Sequence, residues 1–288
     1  MVWLVPALAS AWFWATADYL TRRYFRQLPL AQVVAVRMIG AAVAGAVLLI
    51  VVPWPEHVGR GFFVPVGLAL PLEIGATLLY MRALQVSELG VSLPWLACTP
   101  AFVLGTGYLV LGERPSWAGG VGVVLVVLGA YGLNLHEAAR GWLGPVKAVV
   151  REKGAVMMLG VSLLYAFTSV LGKKAIIATS PLFVAGAYPL IVGVCLGLVL
   201  PLMRGWGWEW VRAGWAGVGV GVCMGGMVVC HFLAISMAPA AYMLAIKRLS
   251  TLIGVLYGGV LLGEARLGQH LLAAGVMLAG AVVVSVWG

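Results

Sequence analysis

Between Gly119 and Gly132 the chain reads GGVGVVLVVLGAYG, without a single charge, and runs of this kind recur from end to end. In a bilayer only α-helices and closed β-barrels satisfy every backbone polar group, and a run near 20 apolar residues reads as a spanning helix. Barrel strands alternate apolar and polar residues over about 10 positions, whereas these runs are continuous, as in GLALPLEIGATLLY (67–80). The pattern predicts an all-α membrane protein. Composition agrees: 63% of the 288 residues are hydrophobic and 9% are charged, against roughly 45–50% apolar and about 25% charged in soluble domains. The same figures exclude a disordered chain, which needs low hydrophobicity and high charge.

The net charge of +9 does not point to nucleic acid, because the 18 Lys and Arg residues are scattered in ones and twos, most of them at the ends of apolar segments. No helix or stripe gathers them into a basic patch. The N-terminal stretch MVWLVPALASAWFWATADYL has no basic start, so it is expected to be a first spanning helix and not a cleaved signal. Cys98, Cys195, Cys223 and Cys230 sit in apolar segments without metal-type spacing. They are expected to pack, with no disulfide framework and no metal. No cofactor is implied.

Charges, prolines and glycines divide the chain into ten apolar segments, at 2–21, 29–52, 61–81, 89–111, 116–135, 154–173, 181–202, 213–237, 240–262 and 267–287. The longest connection, HEAARGWLGPVKAVVREK (136–153), is polar and separates five segments from five. An offset of 151 residues (262 − 111) lays LGER (111–114) over LGEA (262–265). The same offset pairs Ala83 with Ala234, Leu93 with Leu244, Gly107 with Gly258 and Gly129 with Gly280. It also carries Ala15, Leu20, Arg22 and Arg23 onto Ala166, Leu171, Lys173 and Lys174. A half with an odd number of spans forces its copy to enter the membrane upside down. The expected architecture is therefore ten transmembrane helices in two inverted five-helix repeats, 1–135 and 154–288, joined by the linker 136–153. Inverted repeats characterise transporters that hold substrate near the midplane.

Ten segments in a five-plus-five array, the motifs LGER and LGEA, and the first-helix stretch FWATADYL (13–20) resemble the EamA-type drug/metabolite transporter superfamily. The resemblance covers essentially the whole chain. It implies a transporter and leaves the substrate open, since relatives carry amino acids, sugars, nucleotide-sugars, phosphorylated metabolites and lipid head groups. Loops after the odd-numbered segments carry eleven basic residues against four on the other side (Arg60, Arg114, Lys173 and Lys174). That bias predicts a multi-pass protein of the cytoplasmic (inner) membrane with both termini outside.

A charge inside hydrocarbon costs at least ~2.5–3.5 kcal/mol on insertion scales, so each one needs a reason. Lys247 and Arg248 lie about eight residues after Pro239, some 12 Å into the ninth segment at ~1.5 Å per residue. Adjacent helical residues point about 100° apart, so one is expected to line a cavity while the other pairs with an acid. A Lys-Arg pair here resembles the one with which plastid phosphate translocators hold phosphate. Their additional lysine in the first half has no counterpart in LPWLACTP (93–100). The alternative reading is a structural ion pair.

Glu73 and Arg37 are the other deep charges, and an Arg37–Glu73 or Glu73–Lys247 pair is expected, with proton or substrate handling as the functional alternative. His231, the lone histidine inside a span, aligns with Tyr80 under the offset (231 − 151). Both are candidates to face a central cavity, packing being the alternative. Trp14 and Trp95 lie deeper than the interfacial tryptophans and are candidates to stack on substrate. Asp18 is spaced for an i,i+4 pair with Arg22, and Glu113 and Glu264 for favouring a helix N-terminus.

The candidate substrate-binding residues are thus Lys247, Arg248, His231, Tyr80, Arg37, Glu73, Trp14 and Trp95, with no catalytic residue. The expected activity is secondary transport of a small polar metabolite bearing carboxylate or phosphate, coupled to protons or exchange. No Walker-type motif supports ATP hydrolysis. A lipid-linked phosphate or phospholipid head group is the alternative cargo. An intramembrane enzyme would need converging nucleophile, base or metal ligands, which the spans lack. The expected partners are a small-molecule substrate and the bilayer, with a monomer as the unit and a dimer as the alternative.

Overall fold

The computed structural model describes residues 2–87, 92–132, 152–261 and 270–287. All ten apolar segments contain helix, and no strand occurs among the described residues. The helices are α1 (Leu4–Phe25), α2 (Leu30–Val51), α3 (Arg60–Val86), α4 (Thr99–Leu111), α5 (Trp117–Gly132), α6 (Lys153–Ile177), α7 (Pro181–Val199), α8 (Trp215–Met237), α9 (Ala240–Lys247), α10 (Leu249–Leu261) and α11 (His270–Trp287). Six helical stretches have the length and hydropathy of a membrane span: α2, α3, α6, α7 with its extension to Leu202, α8, and α9 with α10. The protein is an all-helical, multi-pass membrane protein.

Helix boundaries follow local chemistry. Pro181 opens α7, and the Ser180 hydroxyl accepts the N–H of Phe183 at 3.2 Å, a serine N-cap. At the end of α4, Gly112 takes a left-handed conformation at φ 69°. The Glu113 N–H then reaches back to the carbonyl of Gly107 at 3.2 Å, the bond of a glycine-ended helix. Several helices overrun the apolar segments, α1 to Phe25, α3 to Val86 and α6 to Ile177, because polar residues at the water boundary can prolong a helix that the bilayer no longer requires.

The fourth and ninth segments are not single helices. The fourth enters as a 3-10 turn, Leu93–Cys98, before α4 begins at Thr99, and the ninth breaks at Arg248 between α9 and α10. The offset of 151 carries Cys98/Thr99 onto Leu249/Ser250, so the two irregularities fall at equivalent points.

The most extensive packing joins α3 to α6, α5 to α11, α1 to α8 and α2 to α7. Exchanging the first five segments for the last five returns the same set: α1–α8 becomes α6–α3, and the other two pairs map onto themselves. Glycine permits the closest approaches. A Cβ at Gly40 of α2 would fall on the backbone of Gly221 in α8, and one at Gly122 of α5 would meet the Gly280 carbonyl of α11 at 2.9 Å. Small residues at such crossings let backbones touch, which drives association where lipid offers no hydrophobic gain. The linker up to Arg151, with His136, and the motif LGEA with Glu264 lie outside the described residues.

Candidate functional site

The break at Arg248 shapes the centre of the molecule. The Arg248 N–H bonds both to the Leu244 carbonyl (3.0 Å) and to the Ala245 carbonyl (3.2 Å), and the Thr251 N–H returns to Arg248 O at 2.9 Å. Tightening of this kind is a 3-10 turn set into a helix. In a continuous helix the two neighbours would diverge; here Lys247 and Arg248 are both buried and both line one cavity of about 90 Å³. At ~10–15 Å³ for each water centre, that space holds roughly six waters. Its walls include Trp14, Glu73, Tyr165, Thr168, Tyr188 and His231, drawn from α1, α3, α6, α7 and α8.

Lys247 is the pivotal cation. Its Nζ lies 3.2 Å from His231 Nδ1, 3.3 Å from Met227 Sδ and 4.5 Å from the centre of the Trp14 ring. No carboxylate lies within ion-pair distance of it among the described residues. An indole face attracts a cation, more strongly when both are desolvated, but it does not neutralise the charge. Arg248 is also buried, and its Nε has no hydrogen-bond partner.

Behind Trp14 lies a closed polar network. The Trp14 indole donates to the Tyr80 hydroxyl at 2.8 Å, and Tyr80 donates to Asp18 Oδ2 at 2.6 Å. Arg37 Nη1 bonds Asp18 Oδ1 at 2.5 Å, with both side chains 1% exposed. The Arg37 guanidinium also lies 4.8 Å from the Trp14 ring, which therefore takes two cations. Asp18 is thereby committed to Arg37 and leaves Lys247 unmatched. Glu73 enters from α3 and accepts a hydrogen bond from Tyr188 at 3.3 Å, with Thr168 beside it in the cavity wall. Lys247 is its charged neighbour, beyond ion-pair range.

Of the eight candidates, Lys247, Arg248, His231, Glu73 and Trp14 line the cavity. Tyr80 and Arg37 stand one hydrogen bond or one ring behind that wall. Trp95 is partly buried outside the lining, in the 3-10 turn before α4. Three pairings change. Arg37 meets Asp18 and not Glu73; Asp18 therefore does not pair with Arg22; and Arg248 shares the cavity with Lys247 and forms no ion pair with an acid among the described residues. The i,i+4 spacing on α1 lost because Arg22 instead donates to the carbonyls of Leu84 (2.9 Å) and Ser87 (2.5 Å) at the end of α3. Sequence reasoning missed Tyr165 and Tyr188. The offset contained the signal, since it lays them over Trp14 and Arg37 (165 − 151, 188 − 151).

A second polar cluster lies at the ends of α4, α6 and α8. Lys173 pairs with Glu113 Oε1 and donates to the Ala238 carbonyl, while Glu113 Oε2 accepts the N–H of Ala240 at 2.9 Å. Glu113 thus serves the start of α9, and not the next helix in sequence. Under the offset, Lys173→Ala238 O coincides with Arg22→Ser87 O (173 − 151, 238 − 151).

Residues 1–135 match the model of the EamA-like transporter family, as the motifs of the sequence imply. One solved crystal structure of a protein superposes over 100% of this chain and 99% of its own, with a TM-score of 0.73 at 16% identity. That likeness shows the fold alone. A search of curated proteins gives no match.

Proposed function

We propose that this EamA-type membrane protein is a secondary active transporter of the cytoplasmic membrane. It moves a small polar organic metabolite bearing carboxylate or phosphate, by alternating access between two inverted five-helix halves, 1–135 and 154–288. The observation that carries this reading is Lys247, a buried ammonium on the wall of the central cavity with no carboxylate in ion-pair range among the described residues. An unmatched charge at membrane depth is too costly to be idle. A substrate anion supplies the missing partner, with Arg248 as second donor and Trp14 and His231 fixing the lysine from behind. Glu73 faces the same space and offers an acceptor to a second group on the substrate, or a carrier for a coupled proton. The inverted halves are supported by the exchangeable helix pairs, by the equivalent breaks in the fourth and ninth segments, and by the equivalent Arg22 and Lys173 bonds.

The test is uptake into proteoliposomes loaded with metabolite mixtures. Lys247→Met is expected to abolish transport while leaving thermal stability close to that of the parent. Normal transport by a folded Lys247→Met variant would refute the assignment.

A further inference from the structure

A groove larger than the central cavity has no part in this site. It runs between α2 and α8 on the outer surface, with a volume of about 920 Å³ and an almost wholly apolar lining. Its floor is glycine, because α2 and α8 meet backbone to backbone at Gly40 and Gly221. Its rims are the exposed valines Val43 and Val47 on α2 and Val218 and Val222 on α8. From Val36 to Val51 it follows α2 for 15 residues, about 22 Å at ~1.5 Å per residue. One leaflet contributes about 15 Å of hydrocarbon, half of the ~30 Å core. The trough therefore takes an extended acyl chain along its length.

The two ends differ in chemistry. At the start of both helices the groove ends on Trp210, Val211 and Gly214. These belong to the connection between α7 and α8, which the Gln32 amide ties to α2 by a 3.0 Å bond to the Gly205 carbonyl. That connection carries the exposed Arg204 and Arg212, three tryptophans in edge and tilted contact (Trp206, Trp208 and Trp210) and a single carboxylate, Glu209. The helix α8 also starts there without a side-chain cap, so its dipole adds positive potential. The far end of the lining, at Val51 and Cys230, bears no charge.

We propose that this groove binds an anionic phospholipid, with an acyl chain along the glycine floor and the phosphate head group at Arg204 and Arg212. A tail-length apolar trough that ends in aromatic and cationic side chains matches the chemistry of such a lipid. A second copy fits poorly, because a two-fold axis along the membrane normal would bring the arginines of both copies to the same depth.

Delipidated protein in detergent, titrated with phosphatidylglycerol or with phosphatidylcholine of the same chains, tests the site by melting temperature and native mass spectrometry. Phosphatidylglycerol is expected to raise the melting temperature saturably and to remain bound as one lipid per chain, with phosphatidylcholine much weaker. Each arginine near a head group is worth about 1 kcal/mol, so Arg204→Gln with Arg212→Gln weakens phosphatidylglycerol roughly 30-fold. Val218→Trp fills the trough and removes binding of both lipids. Equal responses to the two lipids, or unchanged binding in the double arginine variant or in Val218→Trp, would overturn the proposal. So would a dimer that Val218→Trp dissolves.

Discussion

Replacing Asp18 with asparagine leaves the Arg37 guanidinium buried with no counter-charge, and this single change tests the organisation of the site most directly. The two side chains are each 1% exposed and joined at 2.5 Å, and Asp18 also holds Tyr80 and, through it, Trp14. Unit charges about 4 Å apart attract by about 4 kcal/mol at an effective dielectric constant near 20. Removal of one partner of a buried pair costs about 3–5 kcal/mol, because the survivor stays desolvated and unmatched. Asp18→Asn, Asp18→Leu and Arg37→Met should each fall in that range. The apolar double variant Asp18→Leu with Arg37→Met should return to within about 2 kcal/mol of the parent, since a packed apolar pair avoids both desolvation terms. The assay is unfolding in mixed detergent micelles, read by tryptophan fluorescence, in a double-mutant cycle. Single variants that lose less than about 1 kcal/mol, or effects that simply add, would show that the pair does not anchor the site.

Three further outcomes follow from the same geometry. Sulfate or phosphate should raise the melting temperature saturably beyond a chloride control of equal ionic strength, by about 2.7 kcal/mol of stability at 100 times the dissociation constant; Lys247→Met should erase the response, and its persistence would move the anion elsewhere. Glu113→Gln removes the counter-charge of Lys173 and weakens the acceptor of the Ala240 N–H, so it should cost about 1–3 kcal/mol by the same unfolding assay, with a loss below that range arguing for a solvated pair. Gly40→Ala forces a methyl onto the Gly221 backbone and should cost about 1–3 kcal/mol, whereas Gly105→Ala in α4, with nothing within 4 Å of the new carbon, should gain about 0.5–1 kcal/mol; matching signs would mean that the α2–α8 contact is slack.

The ten segments were legible because hydrocarbon imposes one requirement on every residue, and it shows as run length. The deep charges were legible for the same reason: Lys247, Arg248, Arg37 and Glu73 stand out against an apolar background. Their pairing was not. Asp18 has Arg22 one helical turn away in sequence and Arg37 on another helix, and only the packing of α1 against α2 decides between them. The break at Arg248 was hidden as well, since no proline or glycine marks it. Arg248 sits between Lys247 and Leu249, and a continuous helix reads equally well from those letters.

The two halves share a scaffold but not a charge pattern, and this locates the chemistry. The offset of 151 matches bends, end bonds and helix pairs, yet it lays Lys247 over Leu96, Arg248 over Ala97, Asp18 over Ser169 and Arg37 over Tyr188. The second half contributes cations with no carboxylate in ion-pair range among the described residues, while the first contributes Glu73 and the buried Asp18–Arg37 pair. On the proposed transport reading, a small anion entering this space would neutralise the Lys247 side and leave the Asp18–Arg37 side electrostatically unchanged. Under that proposal the binding free energy would be available to draw α9 and α10 toward α1, the relative movement that the proposed alternating access requires.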